Sequence, residues 1–191
     1  MAGLSGAIKP PKLNDFAEDL IWSNRLDEVG KTFVYLSHFL RDRPVADWHG
    51  IFDMIGQRQG GDLQIGMTDG VTKTVQIKSR REDYPDIAIE IAHLHIPPRI
   101  RPGWAYEQSN ADWLLYKTPS RAHWMSYPGL IRTWHAMEMD FFESYPKLAR
   151  NADYWTINHA IHPDRLRERG LLIETAEFAS IMQSVRQPSL L

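Results

Sequence analysis

The chain has 191 residues, 43% hydrophobic and 24% charged, which is long enough for one well-buried domain and excludes a disordered or fibrous protein. It contains no cysteine, so disulfides and thiolate metal sites are excluded, and a reducing cytosol is the compartment easiest to reconcile with that absence. A formal net charge of −2 argues against nonspecific coating of nucleic acid while leaving room for a local basic groove.

In chain order, residues 1–13 are rich in Gly, Pro and Lys, and "KPPK" breaks any helix, so a loose arm is expected there. This N-terminus has no apolar core of signal-peptide length, and no run approaches the roughly 18 apolar residues that span a bilayer, so a soluble cytoplasmic protein is expected. Residues 14–191 read as a single domain. Asn14 offers an N-cap to a helix over "DFAEDLIWSNRLDEV", with Phe16, Leu20 and Ile21 as its apolar stripe. The next segment, "KTFVYLSHFLRD", fits strand or helix equally well, and "ADWHGIFDMIGQ" suggests a short helix or an irregular element. From Gly61 onward short alternating runs signal strands: "DLQIGM", the turn "TDG", "KTVQIKS" and "IAIEIAHLHI", three in succession that suggest an antiparallel meander. "PPRIRPGW" reads as a loop, and "ADWLLYKT" and "AHWMSYP" as a second hairpin. A helix follows near Gly129 over "LIRTWHAMEMDFFESY", with apolar residues at Leu130, Ile131, Trp134, Met137, Phe141 and Phe142. The C-terminal third reads as short helices, with Gly170 as a helix stop. The expected architecture is α/β (α+β), a central mixed sheet flanked by helices.

Alternation along a strand puts Gln76 and Lys78 on one face and Val75 and Ile77 on the other, and sets Glu90 against Ile87, Ile89 and Ile91. The polar face then collects Asp62, Gln76, Lys78 and Glu90 on strands about 4.8 Å apart. Oxygen ligands of this kind suit a hard cation such as Mg²⁺, and a lysine beside one can serve an attacking water or offset charge on phosphate. Each residue also has a structural alternative: Asp62 as a strand-start residue, Lys78 as an edge-strand guard against aggregation, Glu90 as a solvent-facing side chain.

The stretch "GDLQIGMTDGVTKTVQIKS" resembles the active-site hairpin of the PD-(D/E)XK nuclease superfamily, in which an Asp on one strand is followed across a hairpin by an acidic-x-Lys triplet. Asp62 matches the Asp, and Gln76-Ile77-Lys78, fourteen positions on, matches the triplet. The following "IAIEI" and "PGWAYEQSNADWLLYK" resemble the layout of small phage-type or mobile-element nucleases of this superfamily. The resemblance implies a restriction-endonuclease-like core and metal-dependent hydrolysis of phosphodiester bonds in DNA. It also implies Mg²⁺ or Mn²⁺ held by Asp62, Gln76 and the Ile77 carbonyl, with Lys78 serving the attacking water. Nucleases of this kind often pair to cut two strands, which raises a homodimer. Glu18 or Glu28 is a candidate for the acidic residue that the first helix often supplies. Gln76 departs from the pattern, since an amide oxygen brings no charge, and Glu90 is the candidate to restore it. Failing that, the domain is a nuclease relic that binds nucleic acid or a protein without cutting.

Arg80 and Arg81 after the hairpin, with Arg99 and Arg101 in the Pro-rich loop, would form a phosphate-tracking groove on the rim of such a site. Trp104 is a candidate to stack on a base. Four of the seven tryptophans, Trp104, Trp113, Trp124 and Trp134, fall within about thirty positions and either build the core or meet a ligand. His93 with His95, or His159 with His162 on a helical face, could begin a metal site, although neither pair has a third ligand at a recognisable spacing. Walker, GxGxxG and GxSxG patterns are absent.

Overall fold

Tyr35, Leu36, Phe39 and Leu40 are all buried, and only a helix puts that spacing on one face. Tyr35, Leu36 and Phe39 belong to α1 (Leu26–Phe39) and Leu40 is its C-cap, so the ambiguous "KTFVYLSHFLRD" is helical as far as Phe39, its β-branched and aromatic run overridden by burial against a sheet. The computed structural model describes residues 25–50, 61–95, 99–106, 110–137, 147–151 and 154–186. The expected arm over residues 1–13, the start of the Asn14-capped helix and residues 138–145 of the helix expected near Gly129 lie outside them.

Beyond α1 come β1 (Val45–Gly50), β2 (Leu63–Met67), β3 (Thr72–Ser79), β4 (Ile87–His95), β5 (Arg99–Pro102), β6 (Trp113–Lys117) and β7 (Arg121–Ser126). The remainder is α2 (Tyr127–Met137), β8 (Lys147–Arg150), β9 (Tyr154–Ile161), α3 (Pro163–Glu168), β10 (Leu172–Glu177) and α4 (Phe178–Arg186). This is a mixed α+β architecture. A six-stranded sheet runs in the order β1-β2-β3-β6-β7-β10, and a four-stranded sheet in the order β5-β4-β9-β8. Within the first, only β3 and β6 are parallel.

The six-stranded sheet is covered on both faces, as a sheet with a parallel pair at its centre usually is. On one side, α1 and Ile181 of α4 pack over Leu63, Ile65, Val75, Trp113, Leu115 and Trp124, with the Phe39 and Trp124 rings stacked at 5.5 Å. On the other, Leu114, Tyr116 and Met125 meet Ile87 and Ile89 of β4, Leu130 of α2 and Trp104. Asp112 fastens the parallel pair: Lys73 Nζ and the Thr74 N–H donate to it at 2.8 and 2.9 Å.

Several expectations need correcting. The three-strand meander does not form, because β6 occupies the outer edge of β3 and β4 leaves for the second sheet. Asp83 holds the connecting turn in place by accepting from Ser120 N and Oγ at 3.1 and 2.9 Å. The "ADWHG" segment is strand β1, paired to β2, where a helix or irregular element was expected. The Pro-rich "loop" contains β5, an edge strand, which is where a strand tolerates proline. The C-terminal third holds three strands, β8, β9 and β10, as well as two helices. Among the described residues no helix is long and apolar enough to cross a membrane.

Candidate active site

Asp62 lies one residue before β2, and the register that pairs Leu63 with Val75 sets it against Gln76. Gly61 makes the entry possible. Its φ is +89°, and a Cβ there would sit 2.8 Å from the Val75 carbonyl oxygen, so only glycine lets the chain approach β3 this closely. The Asp62 N–H donates to that carbonyl at 2.8 Å. Asp62 Oδ2 in turn accepts from Gln76 Nε2 at 2.7 Å and from the Ile77 N–H at 2.6 Å. Because the carboxylate can only accept, the Gln76 amide presents its nitrogen to Asp62 and keeps its oxygen free of that contact. Gln76 is 9% exposed.

Burial pushes the Asp62 carboxyl above its ordinary range, against the opposing pull of the Ile77 N–H and the Lys78 ammonium. Lys78 is half-buried on the same face of β3 as Gln76, since Val75 between Thr74 and Gln76 points into the α1 side of the sheet.

Glu90 arrives from the other sheet. The β4–β9 register slips between Glu90 and Ala92, a β-bulge. In a regular strand residues three apart face opposite ways; the extra residue turns Glu90 and His93 to the same side. His93 Nε2 lies 3.0 Å from Glu90 Oε1. Gly103 cages the bulge: its N–H donates to the Ile91 carbonyl at 2.7 Å, and a Cβ on it would fall 2.4 Å from the Glu90 carbonyl oxygen. Burial alone would raise the Glu90 carboxyl, but His93, the Lys78 charge and the Trp104 backbone N–H together hold it below its ordinary range. Lys78 therefore acts electrostatically on both Asp62 and Glu90, on carboxylates from two different sheets.

The remaining predicted residues divide. The Ile77 N–H, rather than its carbonyl, meets Asp62, and the carbonyl projects toward the same side of the strand. Arg80 is engaged by the fold: it donates to the Tyr116 hydroxyl at 3.2 Å and lies over the Tyr84 ring at 4.4 Å. Arg81, Arg99 and Arg101 are exposed. Trp104 is 4% exposed inside the core, beside Tyr127, and that burial withdraws it as a base-stacking residue. Glu28 is buried on the α1 face in an ion pair with Lys117 at 3.0 Å and with Lys31 at 2.9 Å, away from the Gln76 face; Glu18 lies outside the described residues. His159 sits in β9 against Trp134 and His162 caps α3, so these two histidines do not share a helical face. Among the described residues no three His, Asp or Glu side chains gather closely enough to hold a metal.

Sequence reasoning missed the partnership of His93 with Glu90, because a bulge leaves no mark in the alternation of "IAIEIAHLH". Gly103 was the available signal, a glycine in an otherwise bulky stretch.

Comparison of the chain with protein-family models, with curated proteins and with solved structures finds no match.

Proposed function

We propose that the protein is a metal-dependent nuclease of PD-(D/E)XK type, cleaving phosphodiester bonds in DNA. The observation that carries the proposal is the hairpin geometry: Gln76 Nε2 donates to Asp62 Oδ2 at 2.7 Å, and Lys78 lies on the same face of β3 as Gln76. In this reading β2, β3 and β6 belong to a restriction-endonuclease-like core.

The donor set fits a hard cation that keeps most of its waters: the Asp62 carboxylate, the Gln76 amide oxygen and the Ile77 carbonyl are oxygen ligands, with Glu90 as the second carboxylate. A bound Mg²⁺ or Mn²⁺ would supply a more acidic water and offset charge on the phosphate. The chain's own residues do the positioning. The Gln76 and Ile77 N–H groups hold Asp62 in one orientation. Lys78 faces the charge that develops on the phosphate and orients the attacking water. His93 keeps Glu90 ionised and fixed.

Incubating plasmid, linear and single-stranded DNA with Mg²⁺ or Mn²⁺ tests this directly. Lys78→Ala and Asp62→Ala are expected to lose roughly 10²- to 10⁴-fold in rate; Asp62→Asn, which keeps an acceptor for the Gln76 and Ile77 N–H groups, separates that loss from any loss of stability. Cleavage that survives both changes sinks the assignment. A second reading, a nuclease-fold module that binds without cutting, is favoured by Gln76, whose amide brings no charge to the site. It gains if DNA is bound but left intact by the parent protein.

A further inference from the structure

Helix α1 ends beside an open cleft on the helix-covered side of the six-stranded sheet. The cleft has a volume of about 520 Å³, within the roughly 300–1,000 Å³ typical of small-ligand sites. Its apolar lining comes from Phe39, Pro44 and Met67, and residues 41–44 and Asp69 are exposed around it, so it is open to solvent. The charged groups that line it divide into two kinds. Arg41 and Glu174 are already joined: Arg41 Nη1 lies 3.2 Å from both carboxylate oxygens, and His38 Nε2 lies 2.8 Å from Glu174 Oε1. Arg43 is not. Its guanidinium lies over the Trp113 ring at 5.1 Å, and among the described residues no carboxylate or hydrogen-bond acceptor meets it. Stacking of this kind fixes the guanidinium plane and leaves the N–H donors at its edge for a ligand. Asp69 accepts only from the Val71 N–H, through Oδ1 at 3.0 Å, and Asp42, its side chain 89% exposed, only approaches Arg41 at 3.6 Å.

We propose that this cleft binds a small zwitterion with an apolar side chain, a free amino acid or a short peptide with free ends. Its carboxylate meets Arg43, its ammonium meets Asp69 and Asp42, and its side chain lies on Phe39, Pro44 and Met67. Charge selects this chemistry. A phosphate would bring its negative charge to a cleft that already holds the carboxylates of Asp42, Asp69 and Glu174 and the end of a 14-residue helix, whose dipole is negative there. A diamine would leave the Arg43 guanidinium unmatched and set a second cation against it. A ligand carrying one charge of each sign satisfies both sets of free groups. The proposal stands apart from the nuclease reading. Met67 closes β2 at the end opposite Asp62, and Phe39 and Met67 lie on the α1 side of the sheet, away from Gln76.

The test is isothermal titration calorimetry of the full chain with L-leucine and with L-leucyl-L-leucine. At least one is expected to bind with a dissociation constant below about 1 mM, and the tighter of the two tells whether the site takes a free amino acid or a peptide. Converting the carboxylate to an amide, or acetylating the amine, should each weaken binding about tenfold, because each removes one charge-assisted contact. Arg43→Ala should lose about tenfold for the free ligand and nothing for the amide, with Arg43→Lys, which keeps the charge, in between. Asp69→Asn can still accept from the Val71 N–H, so the turn is kept, and it should lose affinity for the free amine but not for the acetylated ligand. The site is overturned if neither ligand binds, if inorganic phosphate or cadaverine binds more tightly than the zwitterion, if the amide binds as tightly as the free carboxylate, or if Arg43→Ala binds like the parent.

Discussion

The two sheets are made from similar residues and put to different uses. In the six-stranded sheet β6 is buried along its whole length, and even Lys117 and His123 are enclosed. Its polar groups are tied off, Lys117 to Glu28 and His123 to Thr175. In the four-stranded sheet the outer half of β4 and nearly all of β5 and β8 remain half-buried or exposed, with Ile100 at 74% and Leu148 at 56% exposure. Polar residues in the first sheet serve the fold; in the second, Thr156 is buried against Asn151 and His93 pairs with Glu90, while Arg99 and Arg101 are exposed. Of the candidate residues, Asp62, Gln76 and Lys78 belong to the enclosed sheet and its entry, and Glu90 and His93 to the more open one.

The contrast can be broken by substitution, and the largest effect belongs to the buried sheet. Leu115→Ala removes a fully buried side chain between β3 and β7 and should cost about 2–5 kcal/mol in urea unfolding. A loss under about 1 kcal/mol would mean that this sheet is not the enclosed one.

Next comes the enclosed histidine. Burial, together with the Arg121 and Arg167 charges, lowers the pKa of His123 to about 4, well below that of an exposed imidazole. The unfolded chain takes up this proton near pH 6.5 and the folded chain only near 4, so acid favours unfolding across that interval. Stability attributable to His123 is complete above about pH 6.5, falls as pH drops toward 4 and levels off below. The full loss is roughly 3 kcal/mol, at about 1.4 kcal/mol per tenfold of proton affinity. His123→Gln should flatten that part of the pH–stability curve; an unchanged slope would place the titration elsewhere.

Gly103→Ala probes the seam between the sheets. The new methyl meets the Glu90 backbone at 2.4 Å, so β4 must shift, at about 1–3 kcal/mol. The shift should separate Glu90 from His93, so any cleavage activity should fall by more than the stability loss accounts for. The smallest effect is expected on the open sheet, where Leu148→Ala should stay within about 0.5 kcal/mol of the parent.

The hairpin of the candidate site was readable from the chain. Asp62, Gln76 and Lys78 were placed together by the two-residue alternation of "KTVQIKS" and the short turn before it, and these are local properties. Glu90 was expected as the next strand of the same sheet, yet it belongs to another sheet, where a bulge turns it toward His93. Neither fact is encoded in a local pattern. The helical state of "KTFVYLSHFLRD" was undecided for a related reason: Phe33, Val34 and Tyr35 suit a strand by propensity, and burial of Tyr35, Leu36, Phe39 and Leu40 against β2, β3 and β6 outweighs it. Strands β8, β9 and β10 were hidden because residues 147–186 mix strand and helix signals too closely for periodicity to separate.

Steric alternation along the backbone was therefore enough to specify which side chains of one hairpin share a face, since that depends only on neighbours in the chain. Which strands lie side by side depends on long-range burial. Edge pairing with β6 and β9, and the close approach of Gly103 to Glu90, join residues far apart in the chain, and the folded packing alone selects them.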